Sequence, residues 1–373
     1  MSVAETARAH MVTELEAALP GLSERVRAAL SAVPRERFLP EGLSVEQAYA
    51  DAAVTLAVGD GFPTSTASQP SVVARMLDQL CVRTGHAILE IGTASGYNAA
   101  LLERLVGGSG QVHSVEIDPE LAATARERLR HLAGPVTVHT ADGWAGVPAA
   151  APYDRIIATI GVYDLSPRWL EQLRDGGILV APLWLRPGVE LAVAFRNDGG
   201  VLTSRSAFRC AFLRLRGEHA GPDSYRRVTE TRFATGETLS DDRLDTLRAL
   251  LAETPASTTI STVPAHWFAT VALRDPRAIQ IFSLTDPVDI SYGLFDSERR
   301  GLAVVADDRL HTYGDPAVGV ELREAITRSH PIDPSHWTIH AVPADGPTSP
   351  PARSISAVTI TRPHFRYTID TER

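Results

Sequence analysis

Ile88-Leu89-Glu90-Ile91-Gly92-Thr93-Ala94-Ser95-Gly96-Tyr97 decides how this chain folds. The apolar run Ala87 to Ile91 predicts a buried strand. Gly92 and Gly96 bracket a loop of small residues, and a helix pattern, Asn98 to Val106, follows at once. Strand, glycine turn and helix together bring backbone N–H groups to the carboxyl edge of a sheet, where a ligand can sit. The spacing rejects a dinucleotide fingerprint: G-x-G-x-x-G needs glycine at 94 and 97, and the chain has Ala94 and Tyr97. What remains is E-x-G-x-x-x-G over Glu90, Gly92 and Gly96, with an ordinary tight turn as its alternative reading.

The next segment sharpens this. Gln111 to Ile117 reads as a second strand with Glu116 at its tip, placed to accept hydrogen bonds from a ribose diol. Asp118-Pro119 reads as a cap and first turn for a helix, Glu120 to Leu132. A third strand, Val136 to Thr140, runs into Asp142-Gly143-Trp144. Asp142 is placed to receive an adenine amine; a turn residue before Gly143 is its alternative role.

Composition bounds the rest. The 373 residues have room for two domains, and 44% are hydrophobic, enough for packed cores. A net charge of -9 argues against a nucleic-acid backbone as partner. All 36 basic residues are arginine. The lack of lysine removes a P-loop, a pyridoxal Schiff base and the kinase lysine together. Cys81 and Cys210 lack metal or redox spacing and read as packed residues. His336 and His340 lie on a strand-like stretch, and no metal site is expected. No apolar run is long enough for a membrane span and no secretory leader is read, so a cytoplasmic protein is expected.

At this point the residues carry a family resemblance. Thr66-Ala67-Ser68-Gln69-Pro70, the Glu90 to Tyr97 loop, Val115-Glu116, Asp142-Gly143-Trp144, Pro152 to Ile157 and Gly176 to Pro182 follow the order of protein-L-isoaspartate O-methyltransferases. Val33 to Pro40, Ala48 to Asp51 and Phe212 to Gly217 resemble the same family. The resemblance covers about residues 20 to 217. It implies an α/β, Rossmann-like fold and S-adenosylmethionine as cofactor, leaving S-adenosylhomocysteine, with no metal. It implies cofactor contacts from Glu90, Gly92, Thr93, Ala94, Ser95, Gly96, Tyr97, Glu116, Ile117, Asp142 and Gly143. Ser68 and Thr66 become the candidate catalytic hydroxyls, with helix capping as their alternative. Ser65, Gln69, Ile160, Gly161, Val162 and Tyr163 become candidate substrate contacts.

The parallel strands are expected at about 87–92, 111–117, 136–140, 154–160 and 177–184, with an antiparallel finish at 189–197 and 205–215. Residues 1–217 then form the methyltransferase domain. Gly217 to Pro222 reads as a linker to an α+β domain, 218–373, without a recognised chemical motif and with a role in selecting a peptide substrate. A minimal family member would stop near 217. The chain also departs from the family at Gly59 to Ser65, a longer lead-in, and at Ile160 to Tyr163, where small alanines are usual. With the added domain, these departures resemble methyltransferases that act on ribosomally made, modified peptides. That resemblance implies esterification of an aspartate, then aspartimide formation. Plain isoaspartyl repair, a small-molecule methyltransferase and a non-catalytic peptide-binding protein are the other readings.

Overall fold

The apolar run before Gly92 folds as expected, into a buried strand at the heart of the molecule. The computed structural model describes residues 2–371 except 60–61, 131–133, 135, 223–224, 238, 261–262, 284–285, 287–288, 330–331 and 347–356. The first half carries β1 (Val54–Gly59), β2 (Phe62–Ala67), β3 (Ala87–Ile91), β4 (Gln111–Glu116), β5 (Val136–Thr140), β6 (Tyr153–Ala158), β7 (Leu173–Arg186), β8 (Val189–Asp198) and β9 (Val201–Arg209). The second half carries β10 (Arg226–Arg227), β11 (Arg232–Gly236), β12 (Ala256–Thr259), β13 (Ala278–Ser283), β14 (Ile290–Asp296), β15 (Gly301–Ala306) and β16 (Arg309–Gly314). It ends in β17 (Thr338–Pro343), β18 (Val358–Thr361) and β19 (Phe365–Asp370).

Ten strands form one sheet in the order β18-β19-β17-β9-β8-β7-β6-β3-β4-β5. From β5 to β7 neighbouring strands are parallel; from β7 to β9 they are antiparallel. After β5 the chain crosses back and lays β6 on the other side of β3. The strand order therefore reverses at the β3–β6 edge, which opens a crevice beyond the carboxyl ends of the strands. The flanking helices start as the sequence dictates. Pro70 opens one, and Asp118 caps another by accepting the N–H groups of Glu120 and Leu121. That second helix ends at Leu129; the expected continuation to 132 lies outside the described residues.

Residues 226–314 build a second sheet, antiparallel throughout, in the order β10-β11-β13-β14-β15-β16-β12. The chain then returns. β17 pairs with β9 at His340↔Thr203 and Ala341↔Leu202, and β19 and β18 extend the edge. The boundary expected at 217/218 is thus not a boundary between sheets, because β17, β18 and β19 complete the first one. The physical reason is an edge: without β17, the long strand β9 would present a row of unpaired N–H and C=O groups. One hydrophobic core also joins the halves, with Phe195 and Leu202 packed alongside Phe268, Leu322 and Trp337. Burying each such side chain contributes about 1.5–3 kcal/mol.

Other expectations are corrected. Cys81 is exposed, ending a helix in the left-handed region at φ 51, whereas Cys210 does pack against a core. The strand expected from Ile355 is described only from Val358, and most of the loop from Pro343 to Ala352 lies outside the described residues, as do Asp60 and Gly61. β1 and β2 form a hairpin that the sequence reading lacked, with Thr66 inside β2, paired to Thr55.

Candidate active site

The glycine turn is built by close approach. Gly92 has φ +99, and a Cβ there would lie 2.9 Å from Thr159 Oγ1 and 3.0 Å from Ile160 Cγ2. Thr159 Oγ1 donates to the Gly92 carbonyl at 2.7 Å, locking the turn to the end of β6. Ala94 N–H donates to Glu116 Oε2 at 2.8 Å, and Asp118 N–H donates to Glu116 Oε1 at 3.1 Å. Two backbone donors therefore fix this carboxylate at the tip of β4. A carboxylate has about four acceptor positions, so acceptors remain for a diol. Arg216 stands 3.7 Å from both Glu116 and Asp118.

A cavity lies against this turn. Gly92, Ala94, Glu116, Ile117 and Gly143 line one side of it. Thr64, Ser65 and Thr66 of β2 also line it, with Thr159, Ile160 and the segment Phe212 to Arg216. Eight candidates from the sequence thus meet at one place.

The other candidates stand behind or beside it. Glu90 is fully buried and faces inward: Asn98 Nδ2 donates to Oε1 at 2.7 Å and Ser114 Oγ to Oε2 at 2.5 Å. Burial pushes its carboxyl up to about 7. Thr93 Oγ1 is 2.6 Å from Ser114 Oγ, so Glu90 and Thr93 brace the turn from below. Ser95 and Tyr97 are buried, Gly96 caps the following helix, and the Tyr97 ring lies 5.9 Å from that of Phe38. Asp142 accepts the Trp144 N–H at 2.9 Å, the turn role weighed as its alternative. Ser68 and Gln69 lie outside the lining. The Ser68 carbonyl accepts from Arg35 at 3.1 Å and Gln69 donates to Asp51 at 2.9 Å.

Gly161, Val162 and Tyr163 form a packed strap rather than cavity wall. Gly161 N–H donates to the Leu213 carbonyl and Leu215 N–H to the Gly161 carbonyl, both at 2.8 Å. Arg362, from the turn after β18, lies 3.7 Å over the Tyr163 ring. The predicted linker is packed as well. A Cβ on Gly217 would lie 2.7 Å from Asp142 Oδ2, and His219 stacks on Trp144 with ring centres 4.1 Å apart.

Sequence reasoning missed Arg214, Arg216 and Glu190. Arg214 NH1 is 3.3 Å from Glu190 Oε2, and its guanidinium lies 4.7 Å over the Trp184 ring. Burial raises the Glu190 pKa. The available signal was an arginine alternating with apolar residues in Phe212-Leu213-Arg214-Leu215-Arg216, at the end of the strand expected at 205–215 and past the observed end of β9 at Arg209. Among the described residues no group of three or more potential metal ligands occurs.

Residues 6–220 match the family described as protein-L-isoaspartate(D-aspartate) O-methyltransferase. The chain is 40% identical over 214 residues to the Methanopyrus kandleri protein-L-isoaspartate O-methyltransferase, spanning 57% of this chain and 92% of that protein. The chain belongs to this family. It is an S-adenosylmethionine-dependent carboxyl O-methyltransferase with a Rossmann-like fold. A protein of the same description from Thermotoga maritima is 30% identical over 296 residues, 79% of this methyltransferase and 84% of that one. A solved protein-L-isoaspartate O-methyltransferase matches with TM-score 0.54 and 26% identity over 89% of this chain and 96% of its own. That overlap reaches far past residue 217, so the second half has counterpart residues in another member of the family.

The cavity suits the methyltransferase's cofactor. Gly92 and Ala94 keep large side chains off the turn, Glu116 offers acceptors, and Ile117 and Gly143 offer an apolar edge.

Proposed function

We propose that this methyltransferase esterifies the side-chain carboxylate of an aspartate in a constrained, ribosomally made peptide, and that the ester then closes to an aspartimide. The observation that carries this reading is the wall formed by Thr64, Ser65 and Thr66 in the same cavity as Glu116. Neutral hydroxyls orient an anionic oxygen without protonating it.

The cofactor supplies an electrophilic methyl group on a sulfonium. An aspartate carboxyl with an ordinary pKa of about 3.9 is ionised at neutral pH and needs no general base. Its oxygen bonds to the methyl carbon with its own lone pair as the carbon–sulfur bond breaks, and no proton moves. The chain's part is to align the acceptor and exclude water. Glu116 is assigned to the ribose, Ile117 and Gly143 to the adenine side, and Glu90 and Thr93 to bracing the turn. Thr64, Ser65 and Thr66 take the acceptor role in place of Ser68. In the product, the next backbone nitrogen attacks the ester carbonyl, and its proton leaves with methoxide as methanol.

The constrained aspartyl peptide is favoured by the acceptor side of the site. Tyr163, where the family's small alanines were expected, packs under Arg362 of the second half and 5.5 Å from Trp184 of β7. Peptide selection is assigned to the second half, which meets this strap through Arg362. Two unpaired cysteines fit a reducing, cytoplasmic setting. Isoaspartyl repair is the second reading, favoured by the names of the relatives and by the Thermotoga maritima protein's match beyond residue 220. Intact-mass analysis decides between them. A constrained aspartyl peptide should gain one methyl group and then lose methanol. Methylation confined to isoaspartyl peptides would give the repair reading.

A further inference from the structure

The hairpin that carries the acceptor hydroxyls belongs to neither large sheet. Among the described residues β1 and β2 pair only with each other, and a lone two-stranded hairpin is marginal in water. Its geometry is therefore set by what grips its two ends. The base is gripped by the first half: Ala67 is buried in the core there, and Val54 and Leu56 pack against it. The tip is gripped by the second half. The Phe62 ring meets Phe233 of β11 edge-on, with centres 4.7 Å apart. The Arg227 guanidinium from β10 lies 5.0 Å over Phe233 and 5.9 Å over Phe62. Phe282 of β13 backs Phe233 at 6.2 Å. Phe62 is only two residues from Thr64.

We propose that Phe62 and Phe233 are positioning residues for methyl transfer: the first strands of the second sheet clamp the hairpin tip and set where Thr64, Ser65 and Thr66 hold the acceptor. This rests on the assignment of those hydroxyls to the acceptor. It gives the second half a part in turnover through a contact, although it contributes no side chain to the cavity lining. Edge-to-face aromatic pairs add a modest stabilisation beyond burial. That is enough to bias a marginal hairpin and small beside the stability of a whole domain.

The test uses the full chain. Phe62→Ala removes the clamp from the hairpin side and spares the core of the second sheet; Phe233→Ala removes it from the other side. Either should cut kcat/KM for the peptide by about 10–100-fold, mainly through kcat, as expected for a misplaced acceptor. Affinity for S-adenosylhomocysteine should stay within about twofold, since neither ring lines the cavity beside Glu116. Phe62→Tyr, which keeps the ring, should restore turnover. Amide exchange at residues 62 and 64–66 should quicken by at least about tenfold in the alanine variants. Unchanged exchange there in both variants overturns the clamp whatever the activity. Faster exchange with unchanged kcat shows that the contact orders the hairpin without positioning the acceptor, and also overturns the proposal. A wild-type enzyme that methylates no peptide refutes the acceptor reading, while the exchange data still decide whether the clamp exists.

Discussion

The two sheets handle charge in opposite ways. In the first, Glu116 is fixed by backbone N–H groups and keeps acceptors open toward a cavity. In the second, carboxylates are tied to arginines. Arg277 bonds to Asp275, Asp296 and Glu321, and Arg299 bonds to Asp315 and Glu321. The difference follows from topology. Parallel strands on both sides of a switch point leave a crevice ringed by strand tips and helix starts. An antiparallel meander closes its strand ends with short turns, and its charges pair side by side. Chemistry gathers in the first sheet and support in the second.

The largest effect that can break this division is at the glycine turn. Gly92→Val places a branched side chain at φ +99 against Thr159 and Ile160. Cofactor affinity should fall by more than about 100-fold, a loss above roughly 3 kcal/mol. Calorimetry showing less than a tenfold change would mean that the turn is not the cofactor cradle. Glu116→Ala comes next, with an expected loss of about 1–3 kcal/mol in binding from ribose hydroxyls left unpaired. Unaltered affinity would remove Glu116 from that role.

On the other side of the comparison, Arg277→Met should lower unfolding stability by about 1–2 kcal/mol, less at high salt, because it breaks a partly exposed ionic network. Cofactor affinity should not move. If it does, the second sheet is more than support. The smallest effect depends on pH. Burial holds the Glu90 carboxyl at about 7, above its ordinary 4.5. Between those values the folded protein keeps a proton that the unfolded chain loses. Wild-type stability should therefore fall as pH rises through that window and level off above it. Glu90→Gln should lack this fall. Denaturation midpoints should show the wild-type advantage over the variant shrinking by on the order of 1 kcal/mol per pH unit at most within the window. A parallel pH dependence for both proteins would place the proton elsewhere.

Much of the first sheet was legible because each of these parallel strands is a short valine- or isoleucine-bearing run closed by a turn signal: Ile91 before Gly92, Glu116 before Asp118-Pro119, Thr140 before Asp142-Gly143. The ribose side of the site sits at those junctions, so it was legible too. The hairpin was not. Phe62-Pro63-Thr64-Ser65-Thr66 has neither clean alternation nor apolar content, and its hydroxyls suit a helix cap as well as a strand. Its geometry comes from Phe233, far along the chain. Gly217 to Pro222 read as a linker because glycine and proline mark turns, yet Gly217 is needed for close approach to Asp142. The return of β17 to β9 leaves no local trace, since pairing partners are not written in either strand alone.

That return has a consequence for how the enzyme is made. Thr203 and His340, paired across β9 and β17, are 137 residues apart in the chain. During synthesis from the N-terminus, the glycine turn and every cavity-lining residue leave the ribosome long before the strand that closes their sheet. Nascent β9 is an open edge through that interval, a state prone to mispairing. Such long-range strand pairing also slows folding. A proteolytic nick near Gly217 after folding should leave both pieces associated. A chain whose synthesis stops there should instead aggregate, because the same peptide bonds have been made without the edge ever being covered.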